Sequence, residues 1–286
     1  MITDDQTNFV FLSGLLPGRY PAFCSQLTEI LKTENIPFAF LRNTRDIWCR
    51  DYMPVQLTES EFLQFVYDPD YLKPARYRKL KTDPAKAYPE LLNGIKNTDI
   101  ILDGGNIVRY RDQVLITSKV IDENSRYPQK ELMEILRQEL QVKRILIIPQ
   151  LPDDMTGHSD GMVRWINEKN LLVNDFRNYH RKGYFELLKK SIEAYDLHLT
   201  LLPWDAWKND TSLDDSGDYI NFLQVGKVII LPEYGNLSDA MAKSVIHYCF
   251  PKTKIYSIDC SEIAKEGGLL NCCTWNINTN IPQHYL

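Results

Sequence analysis

A loosely repeated unit constrains what this chain can fold into more than any single motif does. Helix-patterned segments lead into a short apolar run, then a loop carrying Gly, Asp or Asn, then a pair of strand-like runs that reads as a hairpin. The stretches 103–121 (DGGNIVRYRDQVLITSKVI), 157–176 (GHSDGMVRWINEKNLLVNDF) and 217–234 (GDYINFLQVGKVIILPEY) align on this plan. Within it Asp51, Asn106, His158, Asn221 and Cys272 follow one another at intervals of 55, 52, 63 and 51 positions. A unit recurring roughly every 50 residues marks a repeat architecture, in which each unit buries its apolar face only against its neighbours. Five such units can close into a ring and present every loop at a shared axis. A cysteine near the C-terminus would then meet an aspartate near the N-terminus. Chance similarity among ββα units is the competing explanation.

The periodicity places the elements. Residues 36–41 (IPFAFL) read as a strand, and Leu132, Ile135, Leu136 and Leu140 mark one helix face. Residues 144–149 (RILIIP) form a short buried strand. Tyr184, Leu188, Ile192 and Tyr195 stripe a second helix, followed by the strand 197–202. A strand at 228–231 precedes a helix at about 238–248, with Ser238 and Asp239 as caps, and 254–258 is the last strand. The loop-like stretches are 68–89, rich in Pro, Lys and Tyr, and 208–218, rich in Asp, Asn and Ser. Long loops of this kind are often functional lids. No low-complexity linker interrupts the chain, so residues 1–286 are expected to form a single domain.

Composition narrows the function classes. Hydrophobic content of 44% and charged content of 25% describe a soluble globular protein. A net charge of −5, with no Lys/Arg block, argues against a nucleic-acid partner and suits a cationic one. The start, Met1-Ile2-Thr3-Asp4-Asp5, lacks the basic and apolar regions of a signal peptide. The apolar runs are strand-sized, so no membrane partner is expected and the location expected is the cytoplasm. Oligomeric state is not legible. Six cysteines show no disulfide-scaffold spacing and no CxxC.

Three segments carry the residue types of nucleophilic chemistry. Cys272 follows the pair Gly267-Gly268, which lets backbone approach a ligand closely. A thiol attacks only as thiolate and needs a cationic or hydrogen-bonding setting, whereas most single cysteines are small core hydrophobes. Adjacent Cys273, which would face the other way in a strand, fits that inert role. His158 and Asp160 would project from one face of an extended segment. His180, His198, His247 and His284 have no comparable setting and read as surface or capping groups. A His-x-Asp pair is also half a metal site, but no second ligand cluster completes it, so no metal is expected. Taken alone, Asp51 would pair with Arg50 or Arg45, and Asp103 before Gly104-Gly105-Asn106 would form a turn.

Together these segments resemble a known family. The order W-x-R-D-Y-x-P (Trp48, Arg50, Asp51, Tyr52, Pro54), D-G-G-N (Asp103 to Asn106), G-H-x-D (Gly157, His158, Asp160), Y-x-N-F (Tyr219, Asn221, Phe222) and G-G-x-x-x-C-x-T (Gly267, Gly268, Cys272, Thr274) is similar to agmatine deiminases and bacterial-type peptidylarginine deiminases. The resemblance runs from about residue 36 to 276 and implies an α/β fold, a five-bladed pseudo-symmetric propeller of ββαβ units. It implies Cys272 as nucleophile, His158 as general acid/base, Asp51 and Asp160 as guanidinium clamps, and Asp103 as the carboxylate orienting the histidine. Asn221 and Trp48 fall in substrate-binding motifs, and Arg164 or Arg126 would serve a substrate bearing a free carboxylate. Agmatine would instead need an acidic or aromatic end-wall, for which Trp48, Trp207 and Asp210 are candidates.

The chain departs from that pattern at four places, one of them Asp103, where relatives more often carry glutamate. Leu269 stands where relatives have a third glycine, Asn271 where they have histidine, and Met53 where they have glycine. The expected reaction is hydrolysis of a small guanidine, with agmatine the leading substrate and no cofactor. Arginine deimination, free or peptidyl, amidino transfer to an amine, and a weakened guanidine- or polyamine-binding propeller are the alternatives.

Overall fold

The structure, a computed structural model, describes residues 1–211 and 213–280. His284 lies outside the described residues. Among the described residues fifteen strands pair into five separate three-stranded sheets: β1 (Phe9–Ser13), β2 (Phe38–Leu41), β3 (Val55–Gln56), β4 (Phe62–Val66), β5 (Ile95–Ile101), β6 (Val108–Tyr110), β7 (Gln113–Thr117), β8 (Arg144–Ile148), β9 (Val163–Asn167), β10 (Asn170–Asn174), β11 (His198–Leu202), β12 (Leu223–Val225), β13 (Val228–Glu233), β14 (Lys254–Asp259) and β15 (Thr274–Ile277).

Every sheet has the same plan. An antiparallel hairpin supplies the first and middle strands, and a crossover returns the third strand parallel to the middle one. The fifth sheet takes its first strand, β15, from the C-terminal region and its other two, β1 and β2, from the N-terminal region. This pairing ties the two ends of the chain together in one sheet. The weak repeat in the sequence is therefore a real ββαβ unit, and chance similarity does not explain it.

The middle strands carry the core. β1 (FVFLS) and β7 (QVLIT) are buried at all five positions, and β4, β10 and β13 at all but one end residue. Strands covered on both faces need apolar side chains at successive positions, which is why these read as continuous runs and not as alternations. Four crossovers are amphipathic helices, Pro21–Thr33, Gln129–Glu139, Tyr184–Glu193 and Leu237–Cys249. Each lays a narrow stripe on its sheet, such as Leu132 and Leu136 or Leu188 and Ile192, all fully buried. Burial of each such side chain stabilises by about 1.5–3 kcal/mol. The second unit replaces the helix with residues 67–94, which hold only single turns at Asp70–Leu72, Arg78–Leu80 and Pro84–Ala87. Pro74, Pro84 and Pro89 prevent a continuous helix there by removing backbone donors.

Several local expectations are corrected. The helix Leu237–Cys249 is capped by Asn236, whose side chain accepts from Ser238 N at 2.8 Å; Asp239 completes the box from inside. His158 and Asp160 converge through a 3-10 turn at Ser159–Gly161, not through strand alternation. Cys273 also precedes its strand, yet its side chain lies in the core with Val10, Leu27 and Leu270. Among the described residues no helix is long and apolar enough to cross a membrane.

Candidate active site

Each residue singled out for chemistry lies in the junction that leads from the third strand of one unit to the first strand of the next. Asp51 precedes β3 by four positions, Asp103 precedes β6 by five, Asp160 precedes β9 by three, and Asn221 and Cys272 precede β12 and β15 by two. Junctions are free of ladder hydrogen bonds, so their side chains can turn toward a cavity while the sheets behind hold them in place. Asp51, His158, Asp160, Asn221 and Cys272 line one cavity of about 570 Å3.

The histidine sits between two carboxylates. His158 Nε2 is 3.1 Å from Asp103 Oδ2, and Nδ1 is 3.5 Å from Asp51 Oδ1. Its backbone is pinned from three sides: Thr117 Oγ1 donates to Gly157 O at 2.7 Å, Ser159 N donates to Asn106 Oδ1 at 3.2 Å, and Lys119 Nζ donates to Thr156 O at 2.6 Å. Burial alone lowers the imidazolium pKa, but the Asp51 charge and the Asp103 hydrogen bond outweigh it, and the pKa is raised to about 9. NMR titration of the ring is expected to find that midpoint, and Asp103→Asn is expected to move it down. A midpoint at the ordinary value near 6.5 for the native protein would refute this arrangement. The same shift is a stability statement. It contributes fully below pH about 6.5, where both states bind the proton, and is lost as pH rises through about 9.

The cysteine is held by Asn221. Asn221 Nδ2 donates to Cys272 Sγ at 3.2 Å, while its Oδ1 accepts from Asn271 N at 3.1 Å and Cys272 N at 3.3 Å. Cys272 Sγ is 3.7 Å from Asp160 Oδ2, and the same oxygen accepts from Asn271 Nδ2 at 2.6 Å. Burial and the nearby charges of Asp160 and Asp51 push the Cys272 thiol well above its ordinary value, with the Asn221 bond working the other way. A cation placed among these groups would reverse the largest electrostatic contributions and favour the thiolate.

Asp51 is fixed by Gly105 N, which donates to Oδ1 at 3.0 Å, and by Tyr71 OH at 3.5 Å from Oδ2. It has no ion pair with Arg50 or Arg45: Arg50 turns away to donate to Asn271 O and Asn276 Oδ1. Gly105, which its sequence setting marks only as a turn residue, packs directly against these groups. A Cβ there would stand 2.6 Å from Asp51 Oδ1, 2.6 Å from His158 Nδ1 and 3.3 Å from Asp160 Oδ2. Three ionisable groups therefore meet at a spot only a hydrogen can occupy. Gly268 plays a similar part for Trp48, whose ring atoms would lie 2.7–3.0 Å from a Cβ at that position.

The other candidates divide. Trp48, Trp207 and Asp210 line the cavity, as do residues of both loop-like stretches, among them Tyr71 and Leu213. Arg164 does not. Its guanidinium is bonded to Asp4, Ile220 O and Phe222 O and lines a different cavity, so the expectation that it meets a substrate carboxylate is corrected. Arg126 is paired with Asp99 at the surface. His180 is exposed and paired with Asp153, and His198 and His247 are exposed. Ten carboxylates line the cavity against two permanently cationic side chains among the described residues, Arg19 and Lys265. Burial, reinforced by neighbouring carboxylates, raises Asp46 and Asp218 to about 7 and Asp215 well above its usual range. Such mutual repulsion is relieved by a cation. Among the described residues no group of three or more His, Cys, Asp or Glu could hold a metal ion.

Residues 24–277 match the Porphyromonas-type peptidyl-arginine deiminase family. A Streptococcus mutans protein provisionally named an agmatine deiminase is 24% identical over 307 residues, covering 90% of this chain and 80% of that protein. The agmatine deiminase of Pseudomonas aeruginosa (strain LESB58) is 25% identical over 211 residues, which span 63% of this chain and 57% of the Pseudomonas protein. Among solved structures, C. jejuni agmatine deiminase superposes with a TM-score of 0.77 at 17% identity, covering 98% of this chain and 96% of that one.

Proposed function

Since this chain belongs to the Porphyromonas-type peptidyl-arginine deiminase family, we propose that it is an amidine hydrolase that converts agmatine to its ureido product and ammonia. The observation that carries this reading is the meeting of Cys272, its Asn221 hydrogen bond, and Asp160 with a doubly carboxylate-flanked His158 in one acidic cavity. In this reading the five sheets are blades of a closed five-bladed ring, one domain long, and the junctions meet at its axis. The β15–β1 pairing supports closure, because it builds one sheet from strands near both ends of the sequence.

The chemistry follows from the positions. A guanidinium presents planar N–H donors that suit paired bonds to Asp51 and Asp160. Clamped there, its central carbon is held near the sulfur, which supplies the orientational part of the rate. The bound cation stabilises the thiolate, so the Cys272 proton is lost to solvent as the substrate docks, and the sulfur adds to the carbon. His158, protonated at neutral pH, gives its proton to the departing nitrogen, and ammonia leaves with the C–N bonding pair. A covalent S-alkylthiouronium remains. Neutral His158 then takes a proton from water and hydroxide adds to the same carbon; as the adduct's hydroxyl proton passes to solvent, the C–S bond breaks with its electron pair on sulfur, releasing the ureido product and restoring the thiolate and the imidazolium.

The cavity's charge favours agmatine over arginine. An arginine α-carboxylate would have to sit among the carboxylates that agmatine's terminal ammonium meets without a companion negative charge, and like charges brought together cost several kcal/mol. Agmatine is expected to exceed arginine in kcat/KM by at least about 100-fold, with ammonia and ureido product followed in parallel. Equal turnover of arginine, or preference for a blocked arginyl peptide, would overturn the substrate assignment. Formation of a transferred amidino product with an added amine would favour a transferase.

One observation favours a second reading. Asn271 Nδ2 occupies the Asp160 oxygen that also lies 3.7 Å from the Cys272 sulfur. A site engaged in that way supports a protein that binds guanidines or polyamines with little turnover. Calorimetric binding of agmatine without ammonia release would establish it.

A further inference from the structure

Neighbouring residues of the junctions face two different cavities. Asp51 and Cys272 line the first, whereas Arg50 lines a second, of about 540 Å3, together with Arg109, Arg164 and Asp4; Asn271 stands between them, its carbonyl accepting from Arg50 Nε and its side chain donating to Asp160. The junction backbone is thus a partition, with carboxylates and sulfur on one side and buried guanidiniums on the other. Asp4 is the anionic partner of this second layer: Oδ1 is 3.3 Å from Arg109 Nη2 and accepts from Asn276 Nδ2 at 3.2 Å, and Oδ2 accepts from Arg164 Nη1 at 3.0 Å. Arg164 uses its remaining donors on the partition itself. Nε donates to Ile220 O at 3.3 Å and Nη2 to Phe222 O at 2.7 Å, while the guanidinium lies 4.9 Å above the Phe222 ring.

We infer that Arg164, held in place by Asp4, is a positioning residue: its guanidinium spans the carbonyls on both sides of Asn221 and so sets where Asn221 meets the Cys272 sulfur. The inference rests on the deiminase reading only for its kinetic consequences. Three fixed N–H directions are needed, one to the carboxylate and two to carbonyls, and a planar fork supplies them without reorganisation. Asn221 has no such freedom to spare, because its Oδ1 already holds two backbone N–H groups while its Nδ2 donates to sulfur. A small displacement of the Ile220–Phe222 backbone therefore moves all three contacts together.

The test is Arg164→Lys, which keeps the positive charge opposite Asp4 but offers one ammonium in place of a fork. Expected are a fall in kcat of about 10- to 100-fold, KM for agmatine within about twofold of native, and an alkaline shift in the pH profile of Cys272 alkylation by iodoacetamide. In an Asn221→Ala background the same substitution is expected to add less than about twofold. Full, multiplicative losses in the double variant, or a native alkylation profile in Arg164→Lys, would overturn the inference. Should Arg164→Lys fail to fold, Asp4→Asn takes its place, with the same shift expected at smaller size and a native profile again refuting it. A native protein that releases no ammonia would remove the deiminase reading and leave the alkylation profile to decide this one.

Discussion

Cys272→Ala is expected to abolish turnover, with kcat falling by roughly 10^4-fold or more, while Cys273→Ala retains most of it. The two residues are adjacent and both buried, so composition and burial do not separate them. Their contacts do. Cys272 Sγ faces Asn221 Nδ2 and Asp160 in the acidic cavity, whereas Cys273 Sγ lies 3.6 Å from Leu270 O within an apolar cluster. A thiolate cannot form in that cluster without a partner charge, and burial drives the Cys273 thiol well above its ordinary value. Cys273→Ala therefore removes a small hydrophobe and is expected to show mainly as a lowered melting temperature. Steady-state ammonia release with denaturation curves for both variants separates the effects. Equal loss of activity in the two would refute the assignment of the nucleophile. Trapping of a mass adduct on Cys272 in the native protein, and its absence in the variant, would add the covalent step.

Gly105→Ala is expected to lower kcat/KM by about 10^3-fold while the protein remains folded. One methyl group would have to enter a space in which Asp51 Oδ1 and His158 Nδ1 each stand 2.6 Å away. Close packing makes that contact impossible without movement, and the groups that must move are the ones proposed to clamp the substrate and carry the proton. Misplacement of reacting groups by about 1 Å costs on the order of 100-fold in rate, and this substitution disturbs two groups with Asp160 Oδ2 only 3.3 Å off. Gly105 N also donates to Asp51 Oδ1 at 3.0 Å, so a shifted backbone loses that bond. Activity together with the His158 titration is the measurement. Unchanged kinetics, or an unchanged imidazole midpoint near 9, would show that these groups do not share the space described.

The strands and helices were largely readable because each obeys local rules. β7, β10 and β13 are apolar at successive positions, and the helix Tyr184–Glu193 shows its buried face as Leu188 and Ile192. β1 and the helix Pro21–Thr33 were not marked as elements, although Phe23, Leu27 and Leu31 carry a helical spacing. The roles of Arg164 and Gly105 were not accessible in that way. Arg164 resembles any arginine four residues beyond an aspartate until Asp4, some 160 positions earlier, is seen bonded to it. Gly105 looks like a turn glycine until the groups meeting at its α-carbon are known.

The sequence by itself determined the unit and its recurrence: apolar middle strands, returning crossovers, and a chemically distinctive residue a few positions before each new hairpin. Those features depend on neighbours within about a dozen positions, whose influence is written locally. Only the tertiary structure decided which side of the junction each side chain faces, sending Asp51 and Cys272 to one cavity and Arg50 to the other. Burial, charge pairing and the exclusion of a methyl at Gly105 are interactions between separate units, and they exist only once the sheets have been brought together.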